Sequence, residues 1–348
     1  MRQFNGYMHG INLGGWLSQK DSNTKEYTDT FITEEDIRHI AELGLDHVRI
    51  PVDYTTLETE ADAEPIEAGY VYLDNAIRWC RQYGLHVLID LHKTHGYSFD
   101  PLDKDVDPEA FFHTPAEQER FFSLWERIAR RYREDTDIVA FELLNEIVSP
   151  NIYEEWNNVA DRAVERIRAI APDAWIVIGG IRYNNVTSVP LLHAPADDHI
   201  VFNFHCYEPL LFTHQKAFWV DNMPSDLDVA WPQSVGDYAR IGEEVGISAD
   251  LAGAVDRIRP EMQGSEIFDT LFLPATETAE KYNVPLYCGE YGVIDQAPPA
   301  DTLVWLRDIT AVFDKYGIGR ALWTYKRKDF GLMDTHYDIV REEMVKLL

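Results

Sequence analysis

Cysteine is scarce. The 348-residue chain has three, Cys80, Cys206 and Cys288, odd in number and with no CxxC pair or metal-ligand spacing among them. Such a set indicates neither a disulfide framework nor a zinc site and leaves buried free thiols as the expected state. Basic residues are few as well: 31 Lys and Arg against 60 Asp and Glu give a formal net charge of −29. That balance argues against nucleic acid or an anionic membrane as partner, because phosphate contacts need clustered Lys and Arg. It suits a neutral substrate, which feels no long-range repulsion, and it equally suits a surface that is merely acidic and solvated. No segment approaches the roughly 18 apolar residues of a membrane span. The start, Met1-Arg2-Gln3-Phe4-Asn5-Gly6, lacks the charged and apolar regions of a secretory signal. The chain as it stands therefore reads as cytoplasmic, or as secreted if a signal has been removed.

What the chain does have is rhythm. Short apolar runs, His9–Leu13, Asp46–Pro51, His86–His92, Ile138–Glu146, Ala174–Gly180, His199–Tyr207, Val284–Tyr291 and Gly319–Tyr325, read as parallel strands covered on both faces. Helical spacing falls between them. Thr33–Leu43 opens on Thr33 with Asp36 at the capping-box position and closes at Gly44. Tyr72–Tyr83, Ala116–Tyr132, Tyr153–Ile170, Thr302–Tyr316 and Tyr337–Leu347 are the other predicted helices. Alternation of this kind implies right-handed crossovers. Eight units in one chain of this length predict an α/β fold, a closed (β/α)₈ barrel, as a single catalytic domain over residues 1–348. An open doubly wound sheet is the alternative, weakened because no GxGxxG follows the first strand. The stretch 208–263 breaks the rhythm and is too long for a plain loop. It holds Trp219, Trp231 and scattered acids such as Glu243, Glu244, Asp250 and Asp256. We read it as a subdomain inserted after the sixth strand, an elaborated crossover being the plainer alternative.

Arg49, His92, Asn145, Glu146, His205, Tyr207, Glu290 and Trp323 all stand at or near the C-terminal ends of predicted strands, where barrel enzymes build their sites. Two carboxylates end apolar runs, Glu146 after Phe141-Glu-Leu-Leu-Asn145 and Glu290 after Leu286-Tyr-Cys-Gly289. Facing each other across a barrel mouth, such a pair suits glycoside hydrolysis, one protonated and the other ionised. Arg49 is placed to hold Glu290 ionised, and alternation along the sixth strand turns His205 and Tyr207 inward. Structural roles stay open here: Arg49 as a buried ion-pair partner, His205 as a satisfied core histidine.

The segments Gly10-Ile-Asn-Leu-Gly-Gly-Trp16, Val48-Arg-Ile-Pro51, Asp90-Leu-His92, Leu144-Asn-Glu146, His205-Cys-Tyr207, Gly289-Glu-Tyr-Gly292 and Trp323 resemble, in order, those of glycoside hydrolase family 5. Further runs, among them Phe31-Ile-Thr-Glu34 and Phe212-Thr-His-Gln-Lys-Ala217, are similar to bacterial cellulases that also cleave mixed-linkage β-1,3-1,4-glucan. The resemblance implies a retaining mechanism, with Glu146 as acid/base and Glu290 as nucleophile. It makes Arg49, His92, Asn145, His205 and Tyr207 supporting residues and Trp323 a sugar-stacking platform. One position departs: Lys93 stands where many relatives have a second histidine, with His95 as the nearest substitute.

Sugars stack on aromatic rings, and the chain has 9 Trp and 18 Tyr. Trp16, Trp323, Trp219 and Phe212 are the cleft candidates, whereas Trp79, Trp125 and Trp156 lie on predicted helices and read as packing residues. The expected partner is a β-glucan oligosaccharide or polysaccharide, acted on by a monomer with no metal and no other cofactor. Rival readings are a β-mannanase or exo-β-1,3-glucanase on the same fold, a metal-dependent barrel hydrolase using His92, His95, His205 and Asp90, and a non-catalytic glucan-binding protein.

Overall fold

A computed structural model describes residues 1–103, 106–247, 251 and 256–348. Eight strands run in parallel: β1 His9–Asn12, β2 His47–Asp53, β3 His86–Lys93, β4 Val139–Glu142, β5 Ile176–Gly179, β6 Ile200–Cys206, β7 Leu286–Tyr291 and β8 Gly319–Leu322. Each pairs with its sequence neighbour and β8 pairs back onto β1, closing the (β/α)₈ barrel. All eight predicted strands are present, most of them trimmed at the C-terminal end, where the chain leaves the ladder to build the rim.

Crossover helices follow the apolar spacing at Glu34–Glu42, Glu67–Tyr83, Pro115–Tyr132, Tyr153–Arg168 and Pro299–Tyr316, and one more, Ser265–Tyr282, carried no expectation. At the first of these, the Asp36 carboxylate accepts from the Thr33 backbone N–H at 2.8 Å and from its hydroxyl at 2.9 Å. Gly44 then turns the chain with φ +86°, a conformation that costs glycine nothing. Two stretches depart from strict strand–helix alternation. The link from β5 to β6 contains only a short distorted turn and the 3₁₀ turn Val186–Leu191, not a full helix. The helix expected over Tyr337–Leu347 is split into a 3₁₀ turn, Thr335–Tyr337, and Arg341–Val345. The split has a cause: Tyr337 donates to the Val293 carbonyl at 2.6 Å, and Arg341 reaches back to the carbonyls of Leu332 and Asp334 at 2.9 and 2.7 Å.

Between β6 and Ser265–Tyr282 the chain forms the turn Leu210–Thr213 and the helix Val235–Val245, which Ser234 caps by accepting from the Asp237 N–H. Trp231, 3% exposed, anchors this stretch. It packs against Tyr238 and Phe268 and donates to Asp308 at 2.9 Å. Asp250, one of the acids noted in sequence, lies outside the described residues.

The barrel interior is layered by the two-residue period of its strands. At the bottom, Leu88, Ala140, Val177, Val201, Tyr287 and Ala321 pack with Phe4 and Tyr7 from the N-terminal segment. One pleat higher the inward positions turn polar: Asp90 on β3, Glu142 on β4 and Asn203 on β6, all fully buried. Another pleat up come His92 and His205. Outward positions such as Val87, Ile89, Leu91, Phe202, Phe204 and Cys206 meet the helices.

Candidate active site

Arg49 on β2 is the hub of the polar layer. Its Nε and Nη2 donate to the two oxygens of Glu142 at 2.7 and 2.9 Å, and Nη1 donates to Glu290 Oε1 at 2.7 Å and to Asn12 Oδ1 at 2.9 Å. Nη2 also meets Asn145 Oδ1 at 2.8 Å and Asp90 Oδ2 at 3.0 Å. Asn203 steadies Glu142 from the other side at 2.8 Å. A guanidinium suits this place because its planar fork serves several acceptors at once and keeps its charge.

Glu290 reaches this layer through an irregularity. On β7, Tyr287 points into the barrel while Cys288 and Tyr291 pack outward, so strict alternation would turn Glu290 away from the axis. The register against β6 and β8 shifts at Gly289 and Glu290, and this re-aims the carboxylate inward. Gly289 permits it, since a Cβ there would lie 3.0 Å from the Asn203 amide. Tyr207 then donates its hydroxyl to Glu290 Oε2 at 2.9 Å. Glu146 stands beyond the end of β4, its backbone carbonyl accepting from the Tyr97 hydroxyl, which in turn accepts from the Val148 N–H at 3.0 Å. His205 Nδ1 lies 2.8 Å from Glu146 Oε1 and 3.8 Å from Glu290 Oε2.

The two carboxyls sit in different fields. Burial pushes Glu146 well above the usual carboxyl range, and the charge of Glu290 pushes it further. Burial raises Glu290 too, and it stays raised, although Arg49 in direct contact pulls it part of the way back. Of the two, Glu146 is therefore the readier to hold a proton and Glu290 the readier to ionise. Burial also drives His205 well below its ordinary value and His92 down to about 3, so both are neutral imidazoles. Asp90 and Glu142 are raised to about 7 by burial against the pull of Arg49. An acid and a carboxylate side by side in a desolvated site can protonate a leaving oxygen and present a nucleophile to the adjoining carbon.

Above these groups opens a cleft of about 670 Å³, bordered by His92, Glu146, His205, Tyr207, Glu290 and Trp323 and, on its outer walls, by Trp219. Trp323 stacks parallel to His92 with centroids 5.9 Å apart. Asn145 lies just below, its Nδ2 without a partner among the described residues, as is His205 Nε2. Two of the cleft candidates do not reach it. Trp16 is 1% exposed and donates its indole N–H to the Thr28 carbonyl at 2.9 Å, packed edge-on against Tyr72. Phe212 is fully buried and tilts against Trp231. Both are core residues: each lies on a chain segment whose other face makes the rim, and ring count alone does not reveal the face.

Several residues at the site carried no expectation. Asn12, Glu142 and Asn203 form the layer that holds Arg49, together with Asp90, which stood in a family-like segment but was given no role except as a rival metal ligand. The available signal was the two-residue period: Asp90 precedes His92 by one pleat, and Glu142 interrupts an apolar strand. His214, Phe330, Phe99, Tyr183 and Lys328 also border the cleft from loops, where no periodicity marks them. Lys93 is spent on the loop after β3, pairing with Asp100 at 3.1 Å and Asp103 at 2.8 Å, and His95 turns to Glu117. His95 thus takes no part beside His92 or in a metal cluster with it. Among the described residues, Glu146, His205 and Glu290 offer three donor atoms within 4.8 Å of one another. The chemistry fits a cation poorly, since Arg49 already sets a positive charge 2.7 Å from Glu290.

Comparison with known proteins gives a consistent picture. The family model described as Cellulase (glycosyl hydrolase family 5) matches residues 10–329. Cellodextrinase A of Ruminococcus flavefaciens is 43% identical over 321 residues, covering 92% of this chain and 86% of that protein. Endoglucanase C of Acetivibrio thermocellus is 38% identical over 341 residues, 97% of each chain. Among solved structures, endoglucanase Cel5A from the hyperthermophilic Thermotoga maritima superposes with a TM-score of 0.75 at 25% identity, covering 99% of this chain and 97% of that one. The same Cel5A in complex with a mannotriose substrate aligns with a TM-score of 0.75 at 25% identity, over 98% and 97% of the two chains.

Proposed function

This chain belongs to glycosyl hydrolase family 5, the cellulase family, and is a glycoside hydrolase; from that premise we propose that it is a retaining, endo-acting β-glucanase, cleaving β-1,4-glucan and mixed-linkage β-1,3-1,4-glucan. The observation that carries the mechanism is the closeness of the two carboxyls. Their facing oxygens lie within 4.8 Å. Retaining glycosidases keep the pair about 5–5.5 Å apart, whereas inverting ones leave roughly 6.5–9.5 Å for a water between them.

In this reading Glu146 gives its proton to the glycosidic oxygen as Glu290 attacks the anomeric carbon. The C–O bond to the departing chain breaks, and a glycosyl ester forms on Glu290. Glu146, now ionised, takes a proton from water, whose oxygen attacks the same carbon and frees Glu290. Arg49 and Tyr207 favour the charged form of Glu290 before attack and as it leaves. Trp323 stacks on the sugar to be attacked, and the free donors Asn145 Nδ2 and His205 Nε2 meet sugar hydroxyls, which removes the cost of leaving them buried and unpaired. His92 supports the same sugar through its contact with Trp323. Neither metal nor other cofactor is required, and one chain carries every group, so a monomer suffices. The stretch 208–263 acts as an inserted subdomain that supplies Trp219 to the cleft wall. Among the described residues no helix is long and apolar enough to cross a membrane.

The test is a product profile on barley β-glucan, carboxymethyl cellulose, laminarin and mannan, with wild type and Glu146→Gln in parallel. Rapid release of short oligosaccharides from barley β-glucan, lost in the variant, is the expected result. Hydrolysis of mannan alone would favour the second reading, a β-mannanase, to which the likeness to a mannotriose-bound relative lends support.

A further inference from the structure

An aromatic wall leads out of the site. Tyr207, which donates to Glu290, packs edge-on against His214 with centroids 4.9 Å apart. His214 meets Trp219 at 6.3 Å, and Trp219 meets Phe218 at 5.0 Å with the rings at 89°. Tyr207, His214 and Trp219 are partly buried, but Phe218 is 80% exposed, although Ala217 beside it is 1% exposed. All four aromatic residues border the one cleft. A lone exposed phenylalanine on a surface needs no explanation. This one ends a continuous ring-to-ring path that begins at a catalytic carboxyl, and its free face has no apolar cover.

The wall is fixed to the floor of the site. Tyr207, Trp219 and Ala217 pack in one cluster with Trp323 and Phe330, so the path of rings runs from beside the two carboxyls to the outer edge of the cleft, where Phe218 and Asp221 border it.

We propose that Phe218 is an outer sugar platform of the cleft, stacking against a glucosyl unit beyond those held at the two carboxyls and making turnover depend on the length of the substrate chain. The inference rests on the β-glucanase reading above. A pyranose presents an apolar C–H face of a size that covers such a ring, and Trp219 at right angles fixes the ring in advance of binding.

The experiment compares wild type, Phe218→Ala and Phe218→Tyr on cellohexaose and on a nitrophenyl β-cellobioside, whose leaving group is a single small ring. For Phe218→Ala the ratio of kcat/KM on cellohexaose to that on the aryl glycoside should fall roughly 3- to 10-fold, through KM. Phe218→Tyr, which keeps the face, should hold the wild-type ratio. An unchanged ratio in Phe218→Ala, or an equal loss on both substrates, overturns the platform. A wild type inactive on both glucan substrates overturns instead the glucanase reading beneath it.

Discussion

Arg49 spends its N–H donors on Glu142, Glu290, Asn12 and Asn145 and still touches Asp90. Below Glu146 and Glu290, one guanidinium thus faces more carboxyls than it can neutralise, which favours protons on Glu146 and, near neutral pH, on Asp90 and Glu142. Glu142 acts on the reaction only through Arg49, as a positioning residue, and the sign of its effect follows from charge. Replacing Glu142 by Gln removes a negative charge from the hub, so Arg49 favours ionised Glu290 and ionised Glu146 more strongly. Both limbs of the pH–kcat/KM profile should move to lower pH, by about half a unit to one unit. The alkaline limb should move further, because Glu142 titrates at about 7 and is mostly uncharged on the acid side. An unmoved profile in a folded variant would reduce Glu142 to a packing role. The two glutamates proposed to react were marked in sequence because each follows an apolar run, and the family resemblance supplied their roles. The layer beneath was not, since Asp90, Glu142 and Asn203 sit inside strands whose apolar character dominates the reading. Trp16 and Phe212 failed for the converse reason, their segments touching the site while their rings turn to the core.

Among elements, the strands were the most legible, because parallel strands covered on both faces write themselves as short apolar runs. Their helices were legible where a cap or a terminal glycine marks an end, as at Thr33, Gly84 and Gly317. The helix Ser265–Tyr282 was not, since Pro274 within it reads as a breaker. The helix Val235–Val245 hid inside a stretch whose prolines and acids suggest irregular chain. That stretch is fastened to the barrel by Trp231, whose indole lies among Tyr238, Phe268 and Phe212 and bonds Asp308. Truncating Trp231 to Ala should therefore cost about 3–5 kcal/mol of stability in chemical denaturation, the usual range for emptying a buried aromatic site. A loss below about 1 kcal/mol would mean that the stretch is held elsewhere. The same packing makes excision of residues 218–253 a poor probe of the cleft, because it removes Trp231 from the core along with Trp219 from the wall.

For the molecule as a whole, closure of the barrel brings residues from β2, β3, β4, β6, β7 and β8 to one end, although Arg49 and Trp323 stand far apart in the chain. Phe4 and Tyr7, both buried, fill the opposite end of the barrel beneath the polar layer, and the cleft opens above it. Desolvation there raises both glutamates and the contact with Arg49 separates them, within a chain whose formal net charge is −29. Charges on the outside are screened within roughly 8–10 Å at ordinary ionic strength, so a neutral glucan approaches without a barrier. The central claim is that Glu290 forms a covalent bond to the sugar. Incubation with 2,4-dinitrophenyl 2-deoxy-2-fluoro-β-cellobioside, followed by peptide mass spectrometry, tests it directly. The account predicts one fluorinated cellobiosyl group per chain, on the peptide containing Glu290. An adduct on Glu146, or none in a preparation that remains active on barley β-glucan, would contradict it.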